Sequence, residues 1–252
     1  MPSLRHEYFL PDLAYVHHAG FGEFGASAAR RILRLLRERG IHSGRIVELG
    51  CGSGIASRIL LRKGYSLSGV DSSPAMIQLA RKNNPRGRFT VGSLWTYRLT
   101  PCEAVIAVGE CLNYEFDGRN SSSRIRHLFS NVCHVLSPGG CFVFDLLLQS
   151  TTKNAKGQKF VEGGDWFVSV DRSERLTGIT RRIVCFRKSG DLYRKTVEIH
   201  HQKKYNRATV ESLLRETGFK VRTLHGYGGR SPGNHHLVFV ADRGGQTMHS
   251  DA

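Results

Sequence analysis

Acidic residues are scarce in this chain: 21 Asp and Glu stand against 37 Lys and Arg, a net charge of +16. That balance draws anionic partners in general, and says nothing about fold. Long apolar runs are missing, since no stretch approaches the ~18 residues of a membrane-crossing helix. The opening MPSLRHEYF lacks an apolar signal core, so a reduced, cytoplasmic setting without membrane attachment is expected. The cysteines Cys51, Cys102, Cys111, Cys133, Cys141 and Cys185 include no CxxC pair, which excludes a zinc knuckle or redox motif. Most lie in apolar runs, where a thiol acts as a small hydrophobe. Neither common phosphate loop is complete. The third glycine of GxGxxG would fall at position 55, which is Ile55, and no GK[ST] occurs.

What remains is a globular composition, 40% hydrophobic over 252 residues, enough for one domain with an insertion. Apolar positions at helical spacing predict helices over residues 24–39, from Ile55, from Pro74 with Ser73 as N-cap, over 124–136, and from Asn206 or Thr209. Between them lie short apolar runs at 45–49, 65–70, 89–91, 104–108, 141–148, 219–224 and 236–241. Ser137-Pro138-Gly139-Gly140 reads as a helix stop and turn. Strands alternating with helices predict an α/β fold with a mostly parallel sheet covered on both faces. Residues 166–205 differ. They alternate at period two with polar turns between, which predicts a three-stranded antiparallel insertion.

The strongest local feature is Glu48-Leu49-Gly50-Cys51-Gly52-Ser53-Gly54, passing from a strand into a helix. Glycines there permit a tight turn and a close backbone approach by a ligand. Asp71 follows at the end of the next strand, where its two carboxylate oxygens suit a ribose diol. GxGxG preceded by an acid matches S-adenosylmethionine (SAM) sites better than dinucleotide sites.

The segment ELGCGSGIASRILLRKGYSLSGVDSSPAMIQLARKN resembles the cofactor motifs of class I SAM-dependent methyltransferases. The likeness continues through GSLW, AVIAVGECLNYEFD and LSPGGCFVFD, over about residues 20–242. The chain is also similar to small-molecule members with an antiparallel β lid after the fifth strand. The resemblance implies a Rossmann-like seven-stranded sheet ordered 3-2-1-4-5-7-6 with the last strand antiparallel. It implies one domain over 1–252, with a lid at 158–205 and an N-terminal segment, 1–24, closing the cofactor site. Gly50, Cys51, Gly52 and Gly54 would lie under the methionine and ribose, with Glu48 fixing the loop or facing the ammonium. Asp71 would hold the ribose; Ser72, Met76, Ser93 and Leu94 would surround the adenine. Glu110 would line the methionine end and acceptor cavity. Tyr15 and His18, three apart on a helix, would share a face toward the cofactor.

Methyl transfer needs an aligned acceptor, and an oxygen acceptor needs a base. Glu110, His18 and His201 are the chosen catalytic candidates, from a set that includes Tyr114, His200, Tyr227 and His235. In the alternating run Thr196–His201, one of His200 and His201 should face inward. The histidine doublets carry no metal-ligand spacing, so no metal is expected. After the fourth strand the chain has Val108-Gly109-Glu110-Cys111, not the [ND]PP[YF] of base-amino methylation. The expected partner is therefore a small molecule with an O or N acceptor; the basic charge leaves open both an anionic acceptor and a generally basic surface. An RNA methyltransferase working through the basic lid, or a SAM-binding scaffold without activity, are the alternatives.

Overall fold

Alternation along the chain becomes layers in space. The computed structural model describes residues 8–115, 121–150, 154–228 and 235–244. Helices α1 (Pro11–Gly20) and α2 (Gly22–Arg37) come first. Strands β1 (Gly44–Leu49), β2 (Tyr65–Asp71), β3 (Arg88–Val91), β4 (Cys102–Ala107) and β5 (Leu136–Leu147) follow, interleaved with α3 (Ile55–Arg62), α4 (Pro74–Asn83) and α5 (Ser122–Val135). An inserted sheet comprises β6 (Ala155–Glu162), β7 (Trp166–Glu174), β8 (Gly178–Ser189) and β9 (Leu192–Lys203). Then α6 (Arg207–Glu216), β10 (Phe219–Leu224) and β11 (His236–Arg243) complete the order.

The main sheet runs β3-β2-β1-β4-β5-β11-β10. In core-strand numbering this is the expected 3-2-1-4-5-7-6. Only β11 runs against its neighbours β5 and β10. Successive residues of the central strands feed opposite faces. Val105, Phe142 and Phe144 pack with α5 and α6, while Ile106 and Val143 pack with α2, α3 and α4. Burial on both faces explains why these strands are apolar throughout. No helix among the described residues is long and apolar enough to cross a membrane.

The helix starts obey their caps. Ser73 Oγ accepts from the Met76 N–H at 3.1 Å, with Pro74 in the first turn. Asn206, rather than Thr209, caps α6 by accepting the Thr209 N–H at 3.1 Å. Two expectations need correction. Ser137–Gly140 does not separate a helix from a strand: α5 ends at Val135 and β5 begins at Leu136. The extra residues are absorbed as an irregularity in the β4–β5 ladder. Gly139 turns left-handed (φ +77°), and Gly140 sits where a Cβ would lie 2.7 Å from the Glu103 carbonyl oxygen. The insertion has four strands, not three. β6 is an edge strand exposed along nearly its whole length, so neither face imposes a hydrophobic alternation on its sequence.

The insertion rests on α1. Leu13 and Val16 pack against Trp166, Val168, Ile183 and Cys185. Single backbone bridges, Tyr114 with Gln202 and Leu148 with Tyr205, fasten its last strand to the carboxyl edge of the main sheet.

Candidate active site

The glycine cluster turns the chain from β1 into α3 through three left-handed residues, Gly50 (φ +69°), Gly52 (+53°) and Gly54 (+76°). A Cβ on Gly50 would lie 2.4 Å from Cys111 Sγ, and one on Gly54 2.4 Å from Asn84 Nδ2. Gly52 differs, because its nearest neighbour on that side is Met76 Sδ at 4.0 Å. Two glycines thus admit protein, and the middle one keeps an open approach. Asp71 ties this loop to α4: Oδ2 accepts the Gly52 N–H and Oδ1 the Ser73 N–H, both at 2.9 Å. Burial raises the Asp71 pKa, against the pull of those bonds. Behind the loop, Ser57 Oγ donates to the buried Glu48 carboxyl, whose pKa burial pushes up to about 7. Cys51 is buried where Gly69 leaves it room. Met76 and Leu94 are buried beside this edge, Ser72 is exposed, and Ser93 Oγ accepts the Trp95 N–H at 3.3 Å.

A second turn follows β4. Gly109 (φ +92°) and Glu110 (φ +62°) are both left-handed, a conformation that costs a side-chain-bearing residue about 1 kcal/mol or more. Asp145, fully buried at the end of β5, holds them: it accepts the Gly109 and Glu110 N–H groups, each at 2.8 Å. The same carboxylate accepts Tyr227 Oη at 2.9 Å and His236 Nε2 at 2.7 Å. Burial works against the His236 charge, but the bond to Asp145 and its charge raise the pKa on balance. The turn aims the Glu110 carboxylate at the insertion, where Arg181 Nη2 (3.1 Å) and Gln202 Nε2 (2.8 Å) donate to it. Cys111 Sγ donates to the carbonyl oxygens of Val108 (3.0 Å) and Gly50 (3.4 Å), which joins the two turns.

A strap formed by Tyr8, Phe9 and Leu10 crosses from one turn's side to the other. The Phe9 carbonyl accepts Ser73 Oγ at 2.7 Å. The Phe9 and Leu10 N–H groups donate to Glu198 of β9, at 2.7 and 3.0 Å. His200 Nε2 lies 2.8 Å from the same carboxylate. Farther along, Asp12 pairs with Arg194 at 2.6 Å, which holds its pKa below the usual carboxylate range. His18 Nδ1 sits 2.8 Å from Ser53 Oγ in the glycine loop, and burial lowers its pKa, helped by Arg58.

The family model described as "Methyltransferase domain" matches residues 46–140, the stretch from β1 into β5. Among solved structures, a SAM-dependent methyltransferase from Clostridium acetobutylicum superposes with a TM-score of 0.77 at 16% identity, covering 92% of this chain and 98% of that one. SAM-bound CalS10, an amino pentose methyltransferase from Micromonospora echinaspora, gives 0.75 at 18% identity, covering 95% and 100%. The chain has the class I SAM-dependent methyltransferase fold. Rat glycine N-methyltransferase is 30% identical over 128 residues, 45% of this chain and 43% of that protein. The chain thus spans less than half the length of the first curated relatives it matches.

Within this methyltransferase fold, Glu48, Gly50, Cys51, Gly52, Gly54, Asp71 and Met76 converge at the carboxyl ends of β1 and β2, where open α/β sheets bind ligands. Ser93 and Leu94 stand just past β3, Glu110 past β4. His18 reaches the glycine loop. Tyr15 does not share its direction: the hydroxyl donates to Asp165 Oδ2 at 2.9 Å, and the Arg187 guanidinium stacks 3.7 Å over its ring. α1 is sandwiched between loop and insertion, so positions three apart serve different neighbours. Of the β9 doublet, His200 faces inward and is buried. His201 points to the other face, with Nδ1 3.2 Å from Thr180 Oγ1. Tyr227 is bound to Asp145, and His235 is half-buried at the start of β11. Among the described residues no group of three or more His, Cys, Asp or Glu is placed to hold a metal.

Asp12, Asp145 and Glu198 escaped sequence reasoning. Asp145 had one signal, a lone acid inside the apolar run Cys141–Leu148. Glu198 had another: it has the same parity as His200 in an alternating strand.

Proposed function

We propose that this protein transfers a methyl group from SAM to a small molecule bearing an oxygen or nitrogen acceptor. The observation that carries this reading is the glycine loop tied to Asp71 and open at Gly52. SAM supplies an electrophilic methyl group on a sulfonium sulfur. The residues present fit such a ligand. Gly52 admits a close approach, and Asp71 keeps lone pairs beyond its two backbone bonds for the ribose hydroxyls. Glu48 buttresses the loop, while Met76, Leu94 and Ser93 surround the base. Of the expected N-terminal segment 1–24, residues 8–24 would close the cofactor side (residues 1–7 lie outside the described residues), and residues 158–205 would cover the acceptor side, excluding water from the displacement. Glu110 already takes two hydrogen bonds from the insertion, so it acts as an anchor for the acceptor wall. An anionic group on the acceptor would find Arg181 there. The cysteines are free thiols, in keeping with a cytoplasmic protein.

The test is calorimetric titration with S-adenosylhomocysteine, with NADH as control, on the wild type and Asp71→Ala. Binding of the homocysteine product alone, strongly weakened in the variant, is the expected result. Folded, cofactor-stripped protein that binds neither ligand would overturn the reading.

A further inference from the structure

Among the described residues, buried side-chain atoms without a hydrogen-bond partner gather at the insertion: Arg187 Nε of β8, Thr196 Oγ1, His200 Nδ1 and Gln202 Oε1 of β9, and His17 Nδ1 of α1; of these, His200 Nδ1 and Gln202 Oε1 lie beside Glu110. These two belong to residues two apart on β9, so both side chains leave the same face. Glu110 and Arg181 meet that face, as do the rings of Tyr8, Phe9 and Tyr114. A buried polar group left unpaired costs about 1–3 kcal/mol. Two such atoms beside the proposed acceptor wall point to a ligand that completes them.

Both atoms are hydrogen-bond acceptors. Gln202 has committed its amide N–H to Glu110 Oε2 at 2.8 Å, which leaves the carbonyl oxygen over. His200 Nε2 lies 2.8 Å from Glu198 Oε2, and an ionised carboxylate can only accept. The Nε2 proton therefore lies on the histidine, and the tautomer protonated there alone offers its Nδ1 lone pair. Around that ring stand Tyr8 (4.4 Å between centroids), Phe9 (5.0 Å) and Tyr114 (5.8 Å). Lone pairs with aromatic faces suit a group that is both cationic and rich in donors. An ammonium is such a group; an alcohol or phenol brings one donor, and a carboxylate none.

We infer that the methyl acceptor is an amine bound as its ammonium, and that His200, oriented by Glu198, takes the proton that frees the nitrogen lone pair. The inference rests on the methyl-transfer reading. In this step an N–H bond of the ammonium breaks, its electron pair stays on nitrogen, and the proton bonds to His200 Nδ1. The resulting imidazolium keeps its Nε2–H on the Glu198 carboxylate, and the proton passes to water after turnover. Nucleophile-activating dyads share this logic: a base held in one tautomer by a fixed carboxylate. Glu198 is fixed in turn by the Phe9 and Leu10 N–H groups, so the strap completes the dyad. The other charged or titratable groups facing His200 are Arg181 on β8, Glu110 and Tyr114 from the β4 turn, Tyr8 from the strap and His17 from α1. Arg181 and Glu110 pair with each other and largely cancel.

Sinefungin carries an amine where the transferred methyl would sit, and S-adenosylhomocysteine carries nothing there. The ratio of their affinities reads the surroundings of His200 and Gln202 without knowledge of the acceptor. Calorimetry on the wild type is expected to show sinefungin bound at least about tenfold more tightly. His200→Gln and Gln202→Leu should bring the ratio toward one while S-adenosylhomocysteine binds within about threefold of wild type. Ile199→Ala, on the exposed face of β9, should change neither. In parallel, primary amines and matching alcohols are offered with SAM, and products read by mass spectrometry; methylation on nitrogen is expected. Equal wild-type affinities need no variant to overturn the inference. A preference that survives His200→Gln, or methylation on oxygen alone, also overturns it; both leave the methyltransferase reading standing. A wild type that binds neither ligand overturns both.

Discussion

Glu110 and Asp145 meet through the backbone: the Glu110 N–H, in a left-handed turn, donates at 2.8 Å to a carboxylate with no exposure to solvent. Asp145 thereby sets where the Glu110 side chain reaches the insertion. It is also the single acceptor for four donors from three separate parts of the chain.

Asp145→Asn keeps the shape but turns an amide N–H₂ against two of those donors. The expected loss of stability is about 3 kcal/mol, against about 1–2 kcal/mol for Tyr227→Phe, which removes one donor. Urea unfolding monitored by circular dichroism checks both. Equal, small losses would mean that the four bonds do not act on a shared charge.

Asp71→Asn weakens both ties of the glycine loop. Bonds to a charged acceptor contribute about 1.5–3 kcal/mol each, so S-adenosylhomocysteine affinity should fall by about 30-fold or more. Calorimetry gives the answer directly, and a near-wild-type affinity would sink the role assigned to Asp71.

Gly50→Ala and Gly52→Ala should separate fold from ligand. At Gly50 the new methyl would meet Cys111 Sγ at 2.4 Å in a left-handed backbone, for a loss of about 2–3 kcal/mol. At Gly52 the methyl meets nothing closer than 4.0 Å, so the stability loss is about 1 kcal/mol. Affinity for S-adenosylhomocysteine should nonetheless drop about tenfold or more there, because the open approach is filled. A Gly52→Ala variant with intact affinity would place the ligand elsewhere.

Glu48 predicts a pH dependence of unusual sign. Its carboxyl is raised by burial from about 4.5 unfolded to about 7 folded. Between those values the folded protein binds more protons than the unfolded chain, so stability falls as pH rises through that window. The loss is of order 3 kcal/mol at full effect. Below the unfolded value the contribution is constant. Glu48→Gln, which keeps the contact with Ser57, should flatten this slope. Urea midpoints of ligand-free protein from pH 4.5 to 7 test it, and parallel curves for variant and wild type would count against it.

Local chemistry explains which parts were legible beforehand. Three glycines between a strand and a helix, and an acid at the next strand end, announce the cofactor side within 25 or so residues of chain. Apolar strands and capped helices announced the sheet order through the family resemblance they carried. β6 was silent because an exposed edge strand imposes no pattern on its residues. The choice between His200 and His201 depended on register. Alternation says one faces inward, but only the pairing of β9 with β8, which sets His200 against Arg181 and His201 against Thr180, says which. The Asp145 cluster was hidden by distance: Tyr227 and His236 lie 82 and 91 residues along the chain.

β11 is the last strand among the described residues, yet it lies inside the sheet, between β5 and β10. A nascent chain therefore displays the apolar edge of β5 until the residues through Arg243 have been made. Over that interval Asp145 waits for an imidazole 91 residues downstream. Assembly cannot advance piecemeal from the amino end; the long-range pairing that closes the sheet is among its last events. Premature stops before His236 should yield sticky, degradation-prone chains, with an open strand edge and a buried carboxylate short of its donors.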